Sequence, residues 1–267
     1  MEQNTTEPAI EVLGPITAAV DGDRVQLGGP RPKAVLAALV LARGDLVTEE
    51  QIIDAVWEER LPGKPRQALH TYVADLRRAL EPRRGARQTP SVLLRHAGGY
   101  RLAVSQDAVD SARFVNLVRA AAHARVEGRP DEALAHADRA LRLWHGPAYA
   151  DLNGLRFVQA ESGRLAELRS TAREIRIAAL LAQGAHHLTL ADSEELTAEA
   201  PLRESGWALR AQVLYRCGRQ AEAVAVLGSA RRVLREELGV SPGPELARIT
   251  ERVLAHDPTL SWPAAFG

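Results

Sequence analysis

The amino-acid sequence predicts a mainly α-helical protein with small antiparallel sheets in its N-terminal part, and three observations support this fold class. Ala, Leu and Arg are abundant while aromatic residues make up 4% of the chain, a bias that favours helices because those three side chains lose little freedom in them. Short apolar stretches between glycine-containing turns lie before residue 30 and between residues 91 and 104, as expected of strands. Beyond residue 106 the pattern is helical.

The composition is that of a globular protein large enough for two domains. The chain has 267 residues, of which 46% are hydrophobic and 25% charged, ordinary values for soluble domains with cores of their own. The single cysteine excludes a disulfide framework and is typical of a reducing compartment. The sequence shows neither an apolar run of about 20 residues nor the pattern of a signal peptide. We therefore expect a cytoplasmic protein without a membrane partner.

The net charge of zero hides one strongly basic segment. Residues 1–59 carry 4 Lys or Arg against 11 Asp or Glu, whereas residues 60–101 carry 10 against 2 and residues 106–267 carry 20 against 21. Concentrated positive charge is the electrostatic footprint of nucleic-acid binding. A solvated arginine-rich face is the ordinary alternative, so the position of these charges on the predicted elements decides between the two.

The first predicted elements are the strands of a small sheet. Residues 10–14 and 16–20 are mostly apolar and are predicted to be short strands, and the Asp-Gly turn at 21–23 is the usual signal of a hairpin. Residues 24–27 alternate polar and apolar side chains and form the partner strand, which Gly28 ends.

Two helices follow the sheet. The first begins at Pro32, a residue tolerated in a first helical turn, and Gly44 ends it. Thr48 and Gln51 form a capping box that opens the second helix, which continues to Trp57.

A longer helix and a hairpin complete the N-terminal part. The helix is predicted over residues 66–81, after a proline-containing loop. The hairpin pairs residues 91–95 with 99–104 around a His-Ala-Gly turn. A small sheet, three helices and a terminal hairpin make up a winged helix-turn-helix, which we assign to residues 1–105.

The third helix has one apolar face and one polar face. Its apolar residues recur at helical spacing and must face the core: Leu69, Val73, Leu76 and Leu80. Small or hydrogen-bonding side chains form the opposite face: Gln67, Thr71, Ala74 and Arg78. Such a face fits a major groove, where Arg78 would read guanine and Gln67 adenine. Basic residues nearby suit phosphates, which position a protein without specifying sequence: Lys64, Arg66 and Arg77.

The hairpin supplies a second predicted contact with DNA. Arg95 and His96 lie beside its glycine-containing tip, where the backbone can approach a groove. Tyr100 is expected mainly to pack under the hairpin, with its phenol as a further phosphate contact. The predicted DNA-binding set is Lys64, Arg66, Gln67, His70, Thr71, Arg77, Arg78, Arg95, His96 and Tyr100. Basic charge on both a helix and a hairpin favours DNA binding over a solvated face.

The second part of the chain is predicted to be an all-α domain of tetratricopeptide-like hairpins over residues 106–257. Residues 128–133 and 218–223 share the pattern G-R-x-x-E-A. The glycine ends one helix, and small alanines allow the helix pair to pack closely. Repeats of this kind usually present a surface for protein contacts, although a spacer or dimerisation module stays an alternative. We assign residues 258–267 to a tail.

Two sets of motifs carry a resemblance to known families. RQALHTYVADLRRALE at 66–81 and GGYRL at 98–102 resemble an OmpR-type winged helix. No phosphoacceptor receiver domain precedes them, so we do not expect a two-component response regulator. The rest of the chain is similar to the bacterial transcriptional activation domain of the Streptomyces antibiotic regulatory protein family. The matching segments are LWHGPAY at 143–149, RLAELR at 164–169, EAPLRE at 199–204, LYRCGRQAEA at 214–223 and EELGVSPGPEL at 236–246.

The resemblance implies a nucleoid-associated activator that binds direct repeats near the −35 element of secondary-metabolite gene promoters, antibiotic genes among them. It implies self-association on DNA as a dimer and recruitment of RNA polymerase through the sigma factor, the C-terminal domain of the alpha subunit and the beta subunit. The loop between the second and third helices is the expected polymerase contact: Glu58, Glu59, Arg60 and Leu61. One departure from the family pattern is Asp75, which either accepts from cytosine or pairs with Arg77 or Arg78.

Other site chemistry is not indicated by the sequence. It contains neither the G-x-x-x-x-G-K-[ST] loop for nucleotides nor the G-x-S-x-G nucleophile elbow. His186 and His187 are adjacent, which is poor geometry for one metal, and Cys217 is expected to be a small buried hydrophobe. We therefore predict no enzymatic activity and no cofactor or metal. A winged-helix repressor and a protein-interaction scaffold stay open as alternatives.

Overall fold

The computed structural model describes residues 7–85 and 87–260, which form two compact units. Within these described residues, the first unit extends to Asn116 and includes Arg142–Leu168, and the second comprises Leu117–Leu141 and the residues from Arg169 onward. The domain division predicted at residue 105 stays a prediction, as does the tail, of which residues 261–267 lie outside the described residues. Within the described ranges, no helix is long and apolar enough to cross a membrane.

The first unit begins with a three-stranded antiparallel sheet in the order β1-β2-β3. Its strands are β1 (Ala9–Glu11), β2 (Thr17–Val20) and β3 (Asp23–Arg24). The predicted turn joins β2 to β3, and Asp21 and Gly22 have positive φ angles of 54° and 89°, as a tight hairpin turn requires. The Val25 N–H still donates to the Ala18 carbonyl at 2.9 Å, but the chain then leaves the sheet, so β3 is shorter than predicted.

The first strand also ends earlier than predicted, because the backbone after it is bonded elsewhere. The N–H groups of Val12 and Leu13 donate to the two carboxylate oxygens of Asp110, each at 2.9 Å. Their carbonyls accept from the N–H groups of Tyr149 and His145, both at 2.8 Å. The residues predicted as strand are therefore buried between two other segments of the first unit.

Three helices and a second sheet complete the winged helix. The helices are α1 (Pro30–Leu41), α2 (Glu49–Trp57) and α3 (Pro65–Leu80), and the strands are β4 (Val47–Thr48), β5 (Leu93–His96) and β6 (Gly99–Leu102). The second sheet is antiparallel in the order β4-β6-β5. The capping box of α2 is confirmed, because Thr48 N donates to Gln51 Oε1 at 2.9 Å and Gln51 N to Thr48 Oγ1 at 3.1 Å.

Helix α3 packs against α1 and α2 through the predicted apolar stripe. The buried residues are Leu69, Val73, Leu76 and Leu80. Burial of each such side chain contributes about 1.5–3 kcal/mol. Directly after the helix, the buried Glu81 carboxylate accepts from Ser91 N at 2.6 Å, from Ser91 Oγ at 2.7 Å and from Val92 N at 3.2 Å. This carboxylate fixes the start of the hairpin to the end of α3.

The rest of the chain is helical, as predicted. Its helices are α4 (Asp110–Val126), α5 (Pro130–Leu141), α6 (Arg156–Ala182), α7 (Leu190–Glu199), α8 (Glu204–Arg216), α9 (Gln220–Leu238) and α10 (Pro244–Leu254). Short 3-10 helices lie at Gln106–Ala108, Ala150–Leu152, His186–Thr189 and Pro258–Leu260.

The repeated G-R-x-x-E-A segments form equivalent turns between helices. Gly128 and Gly218 have φ angles of 70° and 75°. In both turns the next arginine N–H donates, at 2.9 Å, to the carbonyl five residues earlier. Gly184, with φ 77°, makes a third turn of the same form, in which Ala185 N donates to the Leu180 carbonyl at 2.9 Å. This third turn lacks the sequence pattern, so only two of the three were predicted.

Replacing Asp110 by Asn should destabilise the protein in a pH-dependent way. Burial raises the pKa of the Asp110 carboxyl from 3.8 to about 6, against the opposing effect of its backbone hydrogen bonds. The folded state therefore keeps this proton to a higher pH than the unfolded chain, and stability falls by up to about 3 kcal/mol as pH rises from about 4 to about 6. Asn does not titrate, and it accepts from only one of the two N–H groups.

Chemical denaturation of both proteins between about pH 4 and pH 7 measures this effect. At low pH the Asn variant should be less stable than wild type by at least about 1–3 kcal/mol, because one buried N–H loses its acceptor. The difference in the free energy of unfolding should shrink as the pH rises to about 6. A difference that does not change with pH would contradict the assignment of this titration to Asp110.

Candidate nucleic-acid interface

The polar face of α3 is exposed along its length. Its exposed residues are Arg66, Gln67, His70, Thr71, Ala74, Asp75 and Arg78, and Lys64 is exposed just before the helix. The Thr71 hydroxyl donates to the Gln67 carbonyl one turn earlier, at 3.1 Å, so it offers an outside partner its lone pairs. The structure thus presents the predicted face to solvent, opposite the buried stripe.

Two cations on this face pair with nearby carboxylates. Arg66 Nη2 lies 3.3 Å from Glu50 Oε1 of α2, and Arg78 Nη1 lies 3.2 Å from Asp75 Oδ1. The structure shows the pairing of Asp75 with Arg78 that the sequence left as one alternative. All four side chains are exposed, so each pair contributes little stability and exchanges readily with other anions.

Arg77 and Tyr100 do not belong to the exposed surface. Arg77 is half-buried, its Nε donates to the Leu93 carbonyl at 2.9 Å, and its guanidinium lies over the Tyr100 ring at 5.8 Å from the centroid. Tyr100 is 2% exposed. Burial raises the pKa of Tyr100 and lowers that of Arg77. The expected packing of Tyr100 under the hairpin is observed, and the two side chains attach the hairpin to α3. Phosphate contacts from Arg77 and Tyr100 stay predictions.

The tip of the β5–β6 hairpin presents Arg95 and His96 to solvent. Gly98 has a φ angle of 83°, which makes the tight turn. Gly99 is in close contact with β4, since a Cβ there would lie 2.2 Å from the Val47 carbonyl oxygen. The absence of a side chain at Gly99 therefore lets the hairpin pack closely against β4, while Arg95 and His96 stay outside the core.

Glu49 is a residue of this surface that the sequence analysis missed. Its Oε1 accepts from His70 Nε2 at 2.9 Å and lies 3.6 Å from Arg95 Nη2. Its backbone N–H donates to the Gly98 carbonyl at 2.9 Å. From the sequence it was an ordinary acid in the first turn of α2, and no local pattern connects it with the hairpin.

The loop after α2, predicted as a polymerase contact, divides into bound and exposed residues. Glu58 has φ 49°, and its Oε1 accepts at 2.7 Å from the backbone N–H of Arg156, the first residue of α6. Glu58 therefore has a structural role, because its carboxylate caps that helix, and its contact with polymerase stays a prediction. Glu59 pairs with the Arg156 guanidinium at 3.1 Å and is exposed, as are Arg60 and Leu61, the latter at 56%.

No group of three or more potential metal ligands occurs among the described residues. The rings of His186 and His187 are nearly perpendicular, with centroids 6.0 Å apart. Cys217 is half-buried, and burial raises the pKa of its thiol.

A winged helix with an exposed basic face, followed by helical hairpins, defines a two-part transcriptional regulator. Residues 23–102 match the family described as transcriptional regulatory protein, C terminal, and residues 109–254 match the bacterial transcriptional activator domain. The chain belongs to the Streptomyces antibiotic regulatory protein family of transcriptional activators.

Named relatives support this assignment. The chain is 39% identical to the regulatory protein AfsR of Streptomyces coelicolor, over 94% of this chain and 24% of that protein. It is 36% identical to the transcriptional regulatory protein EmbR of Mycobacterium tuberculosis, over 92% and 63% respectively. It is 32% identical to the transcriptional regulator RedD of S. coelicolor, over 96% and 73%. The chain thus spans less than two thirds of the length of AfsR and EmbR.

A solved structure confirms the fold class. Mycobacterium tuberculosis EmbR, in complex with a low affinity phosphopeptide, matches with a TM-score of 0.86 and 34% identity, over 94% of this chain and 66% of that one. The relatives are transcriptional regulators, so the family gives no reason to expect enzymatic activity.

Replacing Gly99 by Ala should disrupt the second sheet, because the added Cβ would overlap the Val47 carbonyl. Overpacking of this kind lowers the free energy of unfolding by about 1–3 kcal/mol. Gly63→Ala is the matched control, since nothing lies within 4 Å of its added Cβ. Thermal unfolding of both variants measures the effect, and equal melting temperatures would show that β4 and β6 are not so closely packed.

Proposed function

We propose that this chain is a sequence-specific DNA-binding transcription activator of secondary-metabolite genes, antibiotic genes among them. The observation that carries the proposal is the exposed polar face of α3 beside the basic tip of the hairpin. Its family supports activation, and its basic segment, with 10 Lys or Arg against 2 acids over residues 60–101, supports binding to a polyanion. DNA binding would associate the protein with the nucleoid.

On the proposed interface, α3 enters the major groove and the hairpin tip contacts the adjacent backbone. Arg78 reads guanine and Gln67 reads adenine, with His70 and Thr71 beside them. Phosphate contacts come from the remaining exposed basic residues: Lys64, Arg66, Arg95 and His96. Arg77 and Tyr100 act indirectly, since they hold the hairpin on the helix.

The proposed operator is a pair of direct repeats near the −35 element, bound by two copies of the chain. Copies lie on one face of the DNA when the repeats are about 10–11 base pairs apart, close to one helical turn. From there the protein would recruit RNA polymerase through the sigma factor, the C-terminal domain of the alpha subunit and the beta subunit. The exposed loop residues Glu59, Arg60 and Leu61 are the proposed contact in the first unit.

Fluorescence anisotropy with a paired-repeat fragment and a scrambled fragment, across a salt series, tests DNA binding. Lysine acetylation then locates it, because the chain has two lysines. Lys64 is exposed, whereas Lys33 is mostly buried and pairs with Asp151. DNA should protect Lys64 and leave the reactivity of Lys33 unchanged. Absence of binding to both fragments at low salt would favour the protein-interaction scaffold instead.

Arg78→Ala should weaken binding to the repeats by about tenfold or more and relax the preference for guanine at one position, since a bidentate base contact is worth about 1–3 kcal/mol. Lys64→Ala is the comparison. It should lower affinity for all sequences alike and reduce the salt slope by about one. Competition anisotropy with single-base operator variants measures both, and an unchanged base preference in Arg78→Ala would contradict the proposed reading.

Leu61→Ala should reduce transcription from a purified template severalfold without changing affinity for DNA, because it removes an exposed apolar contact for polymerase. Leu46→Ala is the matched control, as Leu46 is 47% exposed outside this loop. Transcription assays with purified polymerase also separate an activator from a repressor. Equal transcription from the two variants would remove the loop from the proposed contact.

A further inference from the structure

The Glu49 carboxylate lies where three elements of the winged helix meet. It accepts from His70 of α3 at 2.9 Å and lies 3.6 Å from Arg95 of β5, while the backbone N–H of Glu49 is bonded to Gly98 in the hairpin turn. The side chain is 14% exposed. A single acid thus joins the helix and the hairpin to which we assign DNA contacts.

Glu50 provides a direct comparison on the same helical turn. Its side chain is 79% exposed and pairs with Arg66 of α3 at 3.3 Å. Both acids lie at the N-terminus of α2, where negative charge is favourable. The helix dipole therefore does not distinguish them. They differ in burial and in the elements that they connect.

We propose that Glu49 is a positioning residue for DNA recognition, whose carboxylate sets the separation of α3 and the β5–β6 hairpin so that both meet DNA together. This inference rests on the proposed DNA-binding function. A carboxylate near phosphates repels them, which lowers affinity. The position of Glu49 within the basic surface makes sense if the fixed geometry increases affinity for DNA by more than the repulsion decreases it.

The gain in affinity comes from restricting a flexible side chain, that of Arg95, before DNA binds. Arg95 is a long side chain at an exposed hairpin, and ordering such a side chain on binding is unfavourable. A partner in the free protein restricts it in advance. Arg95 has five N–H donors, so it keeps donors for a phosphate while it contacts Glu49.

Glu49→Gln and Glu50→Gln, compared by anisotropy on the paired-repeat and scrambled fragments across a salt series, test this role. Glu49→Gln should bind the repeats about tenfold more weakly and bind scrambled DNA no more weakly than wild type. Its salt slope on the paired-repeat fragment should be shallower by about one, because the phosphate contact of Arg95 in that fixed geometry is lost. On scrambled DNA the removal of a negative charge near the phosphates offsets this loss. Glu50→Gln should bind both fragments equally or more tightly, with no reduction of the slope. Equal tightening by both variants would overturn the proposal, since Glu49 would then act through charge alone.

Amide hydrogen exchange of the DNA-free protein distinguishes failure of this inference from failure of DNA binding. Glu49→Gln should speed exchange in the hairpin turn, whereas Glu50→Gln should not. Unaltered exchange in the Glu49 variant would overturn positioning, even where wild type binds no DNA. If Glu49→Gln also lowers the melting temperature, a double-mutant cycle with Arg95→Ala decides. Positioning requires that the two effects on affinity are not additive, and additive effects would overturn it.

Discussion

The N–H and carbonyl groups of Val12 and Leu13 all make hydrogen bonds to distant segments of the chain. The first unit is arranged so that these buried groups keep their partners. Their N–H groups need the Asp110 carboxylate at the start of α4, and their carbonyls accept from Tyr149 and His145. A buried N–H without an acceptor costs about 1–3 kcal/mol. The segment after β1 therefore cannot leave either partner without leaving polar groups unsatisfied. Hydrogen bonds to the backbone of this one segment therefore hold residues that are far apart in the sequence in one compact body.

That body joins the winged helix to a stretch of the matched activator domain. Three polar contacts add to those of the backbone: Glu58 with Arg156, Lys33 with Asp151, and Arg43 with Glu161. Each connects residues before 60 with residues between 142 and 168, which form part of the same compact unit. The exposed loop at 59–61 directly follows Glu58, which is bonded to Arg156. A partner that binds this loop would therefore contact a surface that is fixed relative to α3.

Features with a local cause were predictable from the sequence, and features with distant partners were not. The capping box of α2, the stripe of α3 and the turns at Gly128 and Gly218 depend on residues within a few positions of each other. By contrast, Glu58 and its partner are separated by 98 residues. Glu49 and Arg77 likewise have their partners in the hairpin, and a helical wheel does not show contacts between separate elements. Gly184 was missed because its turn keeps the geometry without the sequence pattern.

The carboxylates on the proposed interface also affect how strongly it binds DNA. In the free protein, Arg66 and Arg78 each have an acid beside them, and His70 and Arg95 share Glu49. Non-specific DNA offers phosphates in exchange for partners that these cations already have, so the net gain is smaller than for unpaired cations. A matching operator adds base contacts to the same exchange. The internal acids therefore lower both affinities by about the same free energy. The ratio of specific to non-specific affinity, which determines the sites that are occupied in a genome, is then set by the base contacts.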